Sequence, residues 1–146
     1  MTLLEVLNTK GKHVFTIRPR DSVLDAVHTL VARNIGALAV LDDSGKLVGI
    51  ISERDVLRLH VQSPVNLATL RVAEFMTREV ITATLAYSID QALAVMSDAR
   101  IRHLPVVENG ILLGIISQGD LVKSKLDEVE FDAKQLTSFI TGKYPG

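Results

Sequence analysis

Residues 45–55 read Gly45-Lys46-Leu47-Val48-Gly49-Ile50-Ile51-Ser52-Glu53-Arg54-Asp55. The chain repeats this segment as residues 110–120, which read Gly110-Ile111-Leu112-Leu113-Gly114-Ile115-Ile116-Ser117-Gln118-Gly119-Asp120, with seven of eleven positions identical. Upstream the duplication continues with a shift of 66 residues, which pairs Val14 with Val80, Ser22 with Ser88 and Leu38 with Leu104. Two copies of one supersecondary unit predict a pseudo-twofold body with clefts at the seam between the copies.

Each copy has the pattern of strand, helix, strand, strand and helix. In the first copy, Val14–Ile17 alternates like a strand, and Ser22 opens a segment whose apolar residues follow a period of 3.6. Ala37–Leu41 has the composition of a buried strand, and Leu47–Ile51 is predicted to pair back on it before a helix at about Glu53–His60. The fold class is therefore predicted as α/β (α+β), with two pseudo-twofold-related β-α-β-β-α repeats in one compact module.

Composition along the chain suggests three segments. Ser63-Pro64-Val65-Asn66 is linker-like, so residues 1–62 are assigned to the first repeat with its N-terminal lead and residues 63–125 to the second. Residues 126–146 are assigned to a C-terminal helical tail with an apolar face over Val129–Ile140. That face predicts an arm that packs on the core, and the alternative is an arm that crosses to a second subunit.

The composition also excludes several classes of function. Aromatic residues make up only 4% of the 146 residues and the net charge is −1, which argues against nucleic-acid binding. Cysteine is absent, which removes disulfides, Cys-ligated zinc and thiol nucleophiles. The apolar runs are too short to span a bilayer, so we expect a cytoplasmic protein that binds neither membrane nor nucleic acid.

The repeated Ser-x-x-Asp is the first candidate for a binding function. Ser52/Asp55 and Ser117/Asp120 each follow Gly-Ile-Ile, where a predicted strand ends and a helix begins. Free backbone N–H groups and the helix dipole favour an anion such as phosphate there, and an Asp one turn further can accept hydrogen bonds from ribose hydroxyls. The alternative is a capping box, a spacing that recurs at Ser22.

Arg102-His103 is the second candidate, because it opens a predicted buried strand where the first repeat has Gly36-Ala37. Arg can bind a phosphate with two parallel hydrogen bonds, and His can share its charge. We expect this strand end to lie near Ser117. The alternative is a surface Arg beside a half-buried His. In either case the two clefts are not equivalent.

Sequence patterns typical of catalysis are absent. The four histidines show no zinc-binding spacing, and neither Gly-x-Ser-x-Gly nor a phosphate-binding Gly-x-x-x-x-Gly-Lys-Ser/Thr occurs. The prediction is a protein that is not an enzyme, with no metal and no catalytic cofactor.

On the Gly-Ile-Ile-Ser-Glu-Arg-Asp and Ile-Arg-His-Leu-Pro-Val segments the chain resembles a tandem cystathionine-β-synthase (CBS) domain pair, of the small stand-alone prokaryotic type. The resemblance covers about Lys12–Lys123. It implies a disc-shaped homodimer and up to two clefts for adenosine-containing ligands, with AMP the first expectation and ADP, ATP, NAD(H) or S-adenosylmethionine as alternatives. In that family the Asp of Ser-x-x-Asp takes ribose hydroxyls, small apolar residues hold adenine and basic residues hold phosphate.

Matched residue by residue, the resemblance implies two sets of binding residues. One cleft would join Thr16, Ile17 and Pro19 to Arg102, His103, Ser117 and Asp120. The other would join Thr82 and Ala83 to Ala37, Ser52, Arg54 and Asp55. The basic pair makes the first cleft the expected phosphate site, so Asp120→Ala should weaken AMP binding more than Asp55→Ala.

The predicted function is a regulatory module that senses an adenosine nucleotide and signals through dimer geometry or a separate effector protein. Binding at a seam between lobes can bias their packing, which is how such a module would signal. The alternative is a structural homodimerisation module with no bound nucleotide.

Overall fold

Helices and strands follow one another in the order that the two sequence copies predict, with differences at one strand and at the last helix. The computed structural model describes residues 1–11, 13–62 and 66–140, so most of the predicted linker, Ser63-Pro64-Val65, lies outside the described residues. The elements are α1 (Leu3–Lys10), β1 (Thr16–Ile17), α2 (Val23–Arg33), β2 (Ala37–Leu41), β3 (Leu47–Ser52), α3 (Glu53–Gln62), α4 (Val72–Phe75), α5 (Ile89–Ala99), β4 (His103–Glu108), β5 (Ile111–Ser117) and α6 (Gln118–Ile140), with a 3-10 turn at Leu67–Thr69.

The strands form one three-stranded and one two-stranded sheet. In the first, β1 pairs parallel with β2 and β2 pairs antiparallel with β3, so that Ala37 lies opposite Ser52. In the second, β4 pairs antiparallel with β5, so that His103 lies opposite Ser117, as expected. The mixed helix and strand architecture and the two repeats confirm the predicted fold class.

The first strand of the second copy is a correction to the predicted order. A single parallel bridge between Ala83 and Val106 replaces it, in the same register that β1 makes with β2. Ala83 N donates to the Pro105 carbonyl oxygen and Val107 N donates to the Ala83 carbonyl oxygen, both at 2.9 Å. Leu85 N, two residues further on, bonds the Glu108 side chain at 2.8 Å.

Serine caps begin the two helices that lie between strands. Ser22 Oγ accepts a hydrogen bond from Asp25 N at 3.0 Å, and Ser88 Oγ accepts one from Gln91 N at 3.0 Å. Each bond satisfies a helix N–H that has no partner within the helix. The Ser-x-x-Asp/Gln spacing at these two helices therefore belongs to the fold.

Two buried cores hold the copies together, and each contains the leading helix of the other copy. The first core joins residues of α1 to the second copy: Leu3, Val6, Leu7, Ile89, Met96, Leu104 and Ile116. The second joins α4 to the first copy: Ile17, Ala26, Leu38, Val40, Ile51, Val72 and Met76. The sequence boundaries at residues 62/63 and 125/126 stay predictions, but in space the leading helices are exchanged.

Two equivalent glycines make this exchange sterically feasible. A Cβ on Gly114 would lie 2.8 Å from Leu7 Cδ2 of α1, and one on Gly49 would lie 2.5 Å from Met76 Sδ. Both distances are shorter than real Cβ contacts, so the leading helices approach the sheets only because these strand positions lack a side chain.

The C-terminal tail is not a separate element, because α6 runs without a break for 23 residues. Its apolar side chains are exposed: Phe131 by 60%, Leu136 by 61% and Ile140 by 73%. The expectation that the tail packs on the core is therefore wrong. A 23-residue helix is about 34 Å long, whereas the seven-residue β5 spans about 23 Å, so the sheet cannot cover it.

No helix in the described part of the chain is long and apolar enough to cross a membrane.

Candidate functional site

The two Ser-x-x-Asp segments lie where β3 runs directly into α3 and β5 into α6. At the first, Ser52 N and Ser52 Oγ both donate to Asp55 Oδ2, at 2.8 and 3.1 Å. At the second, Ser117 N donates to Asp120 Oδ2 at 2.9 Å and Asp120 N donates to Ser117 Oγ at 3.1 Å. The second pair is thus a reciprocal cap, in which each residue's side chain accepts a bond from the other's backbone N–H. In the first pair the Ser52 hydroxyl instead donates to the Asp55 carboxylate. In the described residues, neither Oδ1 takes part in one of these bonds.

A cavity of about 530 Å³ opens beside Asp55, and we call it the Asp55 cleft. Its volume is within the range of small-molecule sites. Elements of both copies line it, as expected for a seam: Ser52, Arg54, Asp55 and Arg58 from the first copy, and Val80, Ile81, Arg100, Arg102 and His103 from the second.

A smaller cavity of about 380 Å³ opens beside Asp120, and we call it the Asp120 cleft. It is also built from both copies. The residues that line it include Lys10, His13, Val14, Phe15, Ala37, His103, Ser117 and Asp120.

The structure divides the residues at the start of β2 and β4 between the two clefts differently from the prediction. Arg102 lines the Asp55 cleft and not the Asp120 cleft, while His103 borders both. Ala37, the equivalent of His103, lines the Asp120 cleft and not the Asp55 cleft. Arg102 precedes β4, which begins at His103, and it lies on the side of the Asp55 cleft together with Arg100.

Five further predicted residues line neither cleft: Thr16, Ile17, Pro19, Thr82 and Ala83. Ile17 and Ala83 are only 6% and 2% exposed, because their side chains face the cores. The residues that do line the clefts come two or three positions earlier, at Val14 and Phe15 in one copy and at the equivalent Val80 and Ile81 in the other. The five residues stay predictions for ligand binding, and the cavities themselves are lined by their neighbours earlier in the same segments.

Cations are concentrated in the Asp55 cleft. Four arginines line it, Arg54, Arg58, Arg100 and Arg102, against the carboxylates of Glu53, Asp55 and Glu79. None of these arginines forms an ion pair with another described residue. Of the predicted basic pair, Arg102 thus lies in the Asp55 cleft and His103 borders both clefts, and the guanidinium groups are available to an anion beside Asp55.

Lys10 is the residue of the Asp120 cleft that sequence reasoning missed. Its Nζ donates to Asp120 Oδ2 at 2.6 Å and to the Ile115 carbonyl oxygen. Partial burial acts to raise the pKa of Asp120, but the Lys10 ammonium and the Ser117 N–H outweigh it and hold that pKa below its usual value. No sequence signal could place Lys10 here, because the contact depends on the exchange of α1 between the copies.

His103 lies half-buried between the clefts. Burial lowers the pKa of His103, against the opposing effect of Glu53, which favours the neutral imidazole. A Cβ on Gly36 would lie 2.8 Å from His103 Nε2. Gly36 therefore lets the ring lie against the backbone of the first copy.

Comparisons with known proteins agree with this architecture. The CBS domain family model matches residues 5–61 and 72–127. The mitochondrial CBS domain-containing protein CBSX3 of Arabidopsis thaliana is 33% identical over 151 residues, which cover 98% of this chain and 73% of that protein.

Solved structures agree as well. The CBS domain protein NE2398 is 40% identical with a TM-score of 0.82, covering 86% of this chain and 98% of that one. ATU1752 from Agrobacterium tumefaciens is 37% identical with a TM-score of 0.82, covering 86% and 99%. The CBS domain pair of MJ0100, in complex with 5′-methylthioadenosine and S-adenosylmethionine, is 30% identical with a TM-score of 0.75, covering 84% and 98%. This chain belongs to the CBS-domain family and carries two CBS domains.

Proposed function

We propose that this chain is a regulatory module, with no chemistry of its own, that binds an adenosine-containing nucleotide in the Asp55 cleft. The observation that carries the proposal is the set of four unpaired arginines beside a carboxylate with one uncommitted oxygen, in a cavity at the seam of the repeats. The related MJ0100 domain pair holds two adenosine-containing ligands, which supports the same ligand class here.

Each part of a nucleotide has a partner in this cleft. Asp55 Oδ1 would accept hydrogen bonds from ribose hydroxyls, and Val80 and Ile81 would contact the adenine. Arg54 and Arg102, with their neighbours, would bind phosphate through charge-assisted hydrogen bonds. Phosphate-bearing ligands are favoured over S-adenosylmethionine, because arginines repel a sulfonium cation, and AMP is the simplest ligand that satisfies all three partners.

The Asp120 cleft is proposed as a second and weaker site. Its ribose-binding carboxylate already holds Lys10 at 2.6 Å, and its volume is smaller by about 150 Å³, the difference between about 530 and 380 Å³. A nucleotide there would share Asp120 with Lys10 and lacks the arginine cluster. This order of the two sites reverses the expectation drawn from the sequence.

We propose that ligand binding is signalled through the geometry of a dimer or to a separate effector protein. We also propose that the protein is cytoplasmic. The last helices of both copies expose apolar residues at equivalent positions: Leu57 and Val61 are 67% and 88% exposed, and Val122 and Leu126 are 45% and 64% exposed. Exposed apolar residues repeated in this way favour self-association. The alternative function is a structural homodimerisation module whose clefts stay empty.

The test is thermal unfolding with AMP, ATP, NADH and S-adenosylmethionine, followed by AMP titration calorimetry on variants. A ligand at about 100 times its dissociation constant should add about 2.7 kcal/mol to stability. Asp55→Ala should abolish the tighter binding event, and Asp120→Ala should leave it within a factor of two or so of wild type. Asp127→Ala, an exposed carboxylate on α6 outside both clefts, is the matched control.

Two results would contradict the proposal. If none of the four ligands shifts the unfolding temperature, the structural homodimerisation module is the better account. If Asp120→Ala weakens AMP more than Asp55→Ala, the tighter site lies in the Asp120 cleft.

A further inference from the structure

Lys10 is the last residue of α1, and its side chain lies in the Asp120 cleft. Val6 and Leu7 of the same helix are buried in the core of the second copy, so the backbone that carries Lys10 is fixed there. Lys10 Nζ donates to Asp120 Oδ2 at 2.6 Å and to the Ile115 carbonyl oxygen. Because the lysine side chain is still 36% exposed, a ligand in the cleft can reach its ammonium group.

The contact occupies the carboxylate that the proposed ribose site needs. Each carboxylate oxygen can accept two hydrogen bonds. Asp120 Oδ2 already accepts two, from Ser117 N at 2.9 Å and from Lys10 Nζ at 2.6 Å. The ammonium also compensates the negative charge that strengthens a hydrogen bond from a ribose hydroxyl. A ligand that offers only a ribose and a base therefore competes with Lys10 for Asp120.

Among the described residues that line the Asp120 cleft, Lys10 is the only Lys or Arg. Two histidines, His13 and His103, also line it, and burial favours the neutral form of the His103 imidazole. A phosphate monoester carries about two negative charges at pH 7, so Lys10 is the group in this cleft that can neutralise it. Its two hydrogen bonds use two of the three Nζ donors, which leaves the third for a phosphate oxygen.

We propose that Lys10 makes the Asp120 cleft selective for nucleosides that carry a phosphate. Lys10 pairs with Asp120 until a bound phosphate takes over its ammonium, which frees Asp120 Oδ2 for the ribose. A nucleoside without a phosphate leaves the ammonium on the carboxylate and binds weakly. The exchange needs only a side-chain rotation, since α1 stays packed. The inference rests on the proposed function, because it takes this cleft as the second nucleotide site.

The Asp55 cleft has no equivalent of this contact among the described residues. The shift of 66 residues pairs Lys10 with Met76, and Asp55 forms no ion pair with another described residue. Both bonds to Asp55 Oδ2 come from Ser52, whose hydroxyl can rotate to another acceptor. A ribose there meets a carboxylate whose charge is not compensated. Lys10 thus gives the two clefts different ligand requirements.

The experiment isolates the Asp120 cleft in an Asp55→Ala background and compares AMP with adenosine, which differs from it only by the phosphate. NMR titration measures both affinities, and the amide signals of Ser117 and Asp120 report on this cleft. Adding Lys10→Met should weaken AMP about tenfold or more, because a charged hydrogen bond is lost. The same change should leave adenosine as tightly bound or tighter, because Asp120 is released.

Two further variants separate this role of Lys10 from a role in folding. Lys10→Arg keeps a cation on α1 and should retain the preference for AMP over adenosine. Lys134→Met, the same substitution at an exposed lysine outside both clefts, is the matched control and should change neither affinity.

The proposal is overturned if Lys10→Met weakens AMP and adenosine by the same factor, because Lys10 would then only support the shape of the cleft. It is also overturned if Lys10→Met leaves the AMP affinity unchanged, or if AMP shifts neither amide signal in Asp55→Ala. In each of these cases AMP binding to the wild-type Asp55 cleft still stands. A wild-type protein that binds no AMP would contradict the proposed function and this inference with it.

Discussion

Replacing Lys10 by methionine is the most direct test of how the two repeats are joined at the Asp120 cleft. Lys10 Nζ donates to Asp120 Oδ2 at 2.6 Å and to the Ile115 carbonyl oxygen, so one side chain of α1 connects to the end of β5 and the start of α6. Methionine keeps a similar unbranched stem and removes the charge and the donors. The substitution therefore isolates the ion pair from the apolar packing of α1.

The expected loss follows from the exposure of the pair. A hydrogen bond to a charged group contributes about 1.5–3 kcal/mol when buried, and an exposed ion pair only about 0.2–1 kcal/mol. Lys10 and Asp120 side chains are 36% and 28% exposed, which places the pair between these limits. We expect Lys10→Met to reduce the free energy of unfolding at pH 7 by about 1 kcal/mol, or about 3–5 °C in Tm.

The effect should depend on pH in a defined direction. Despite the partial burial of Asp120, the Lys10 ammonium and the Ser117 N–H hold its pKa below its usual value in the folded protein, so its contribution is complete above the unfolded-state pKa and is lost as pH falls through the lower, folded pKa. The difference between wild type and Lys10→Met should thus be constant from about pH 8 to 5 and shrink below about pH 4.

Urea unfolding followed by circular dichroism, at neutral and acid pH and at low and high salt, measures these quantities. Lys134→Met is the control, because Lys134 is 76% exposed in an i,i+4 pair with Glu130 and should change stability by less than about 0.5 kcal/mol. The reasoning is refuted if Lys10→Met is as stable as wild type at pH 7. It is also refuted if the difference stays undiminished when Asp120 is protonated.

Three further predictions concern the fold. Gly49→Ala should reduce the free energy of unfolding by about 1–3 kcal/mol, because its Cβ would meet Met76 Sδ at 2.5 Å. Urea midpoints should show a smaller loss when the same substitution is made in a Met76→Ala background, where the clashing side chain is gone. Leu104→Ala should cost about 2–5 kcal/mol at a fully buried position, measured the same way, whereas Leu57→Ala at a 67% exposed position should change a monomeric sample little. Ser22→Ala should cost about 1 kcal/mol by removing the cap on Asp25 N, and Ser22→Gly only a few tenths; equal losses for both would show that the Ser22 hydroxyl does not stabilise the helix.

Much of the fold was predictable because local patterns report local structure. The Ser caps, the apolar period of α2 and the strand at Ala37–Leu41 follow from neighbours along the chain, and the structure contains all three. That the second copy makes only a single bridge at Ala83, where the first copy has the two-residue strand β1, was not predictable, because the local pattern is similar in both copies.

The candidate site divides in the same way. The duplication alone was enough to identify the Ser-x-x-Asp pairs, the Arg102-His103 segment and the presence of two unequal clefts, because side-chain chemistry and spacing are written in the chain. Which residues lie beside these segments depends on how the two copies pack in three dimensions. Arg102 lines the Asp55 cleft and His103 borders both clefts, and α1 crosses to the other copy and brings Lys10 to Asp120, 110 residues away in sequence. Contacts of that kind are decided by which surfaces bury together, and no period or motif along a single segment records them.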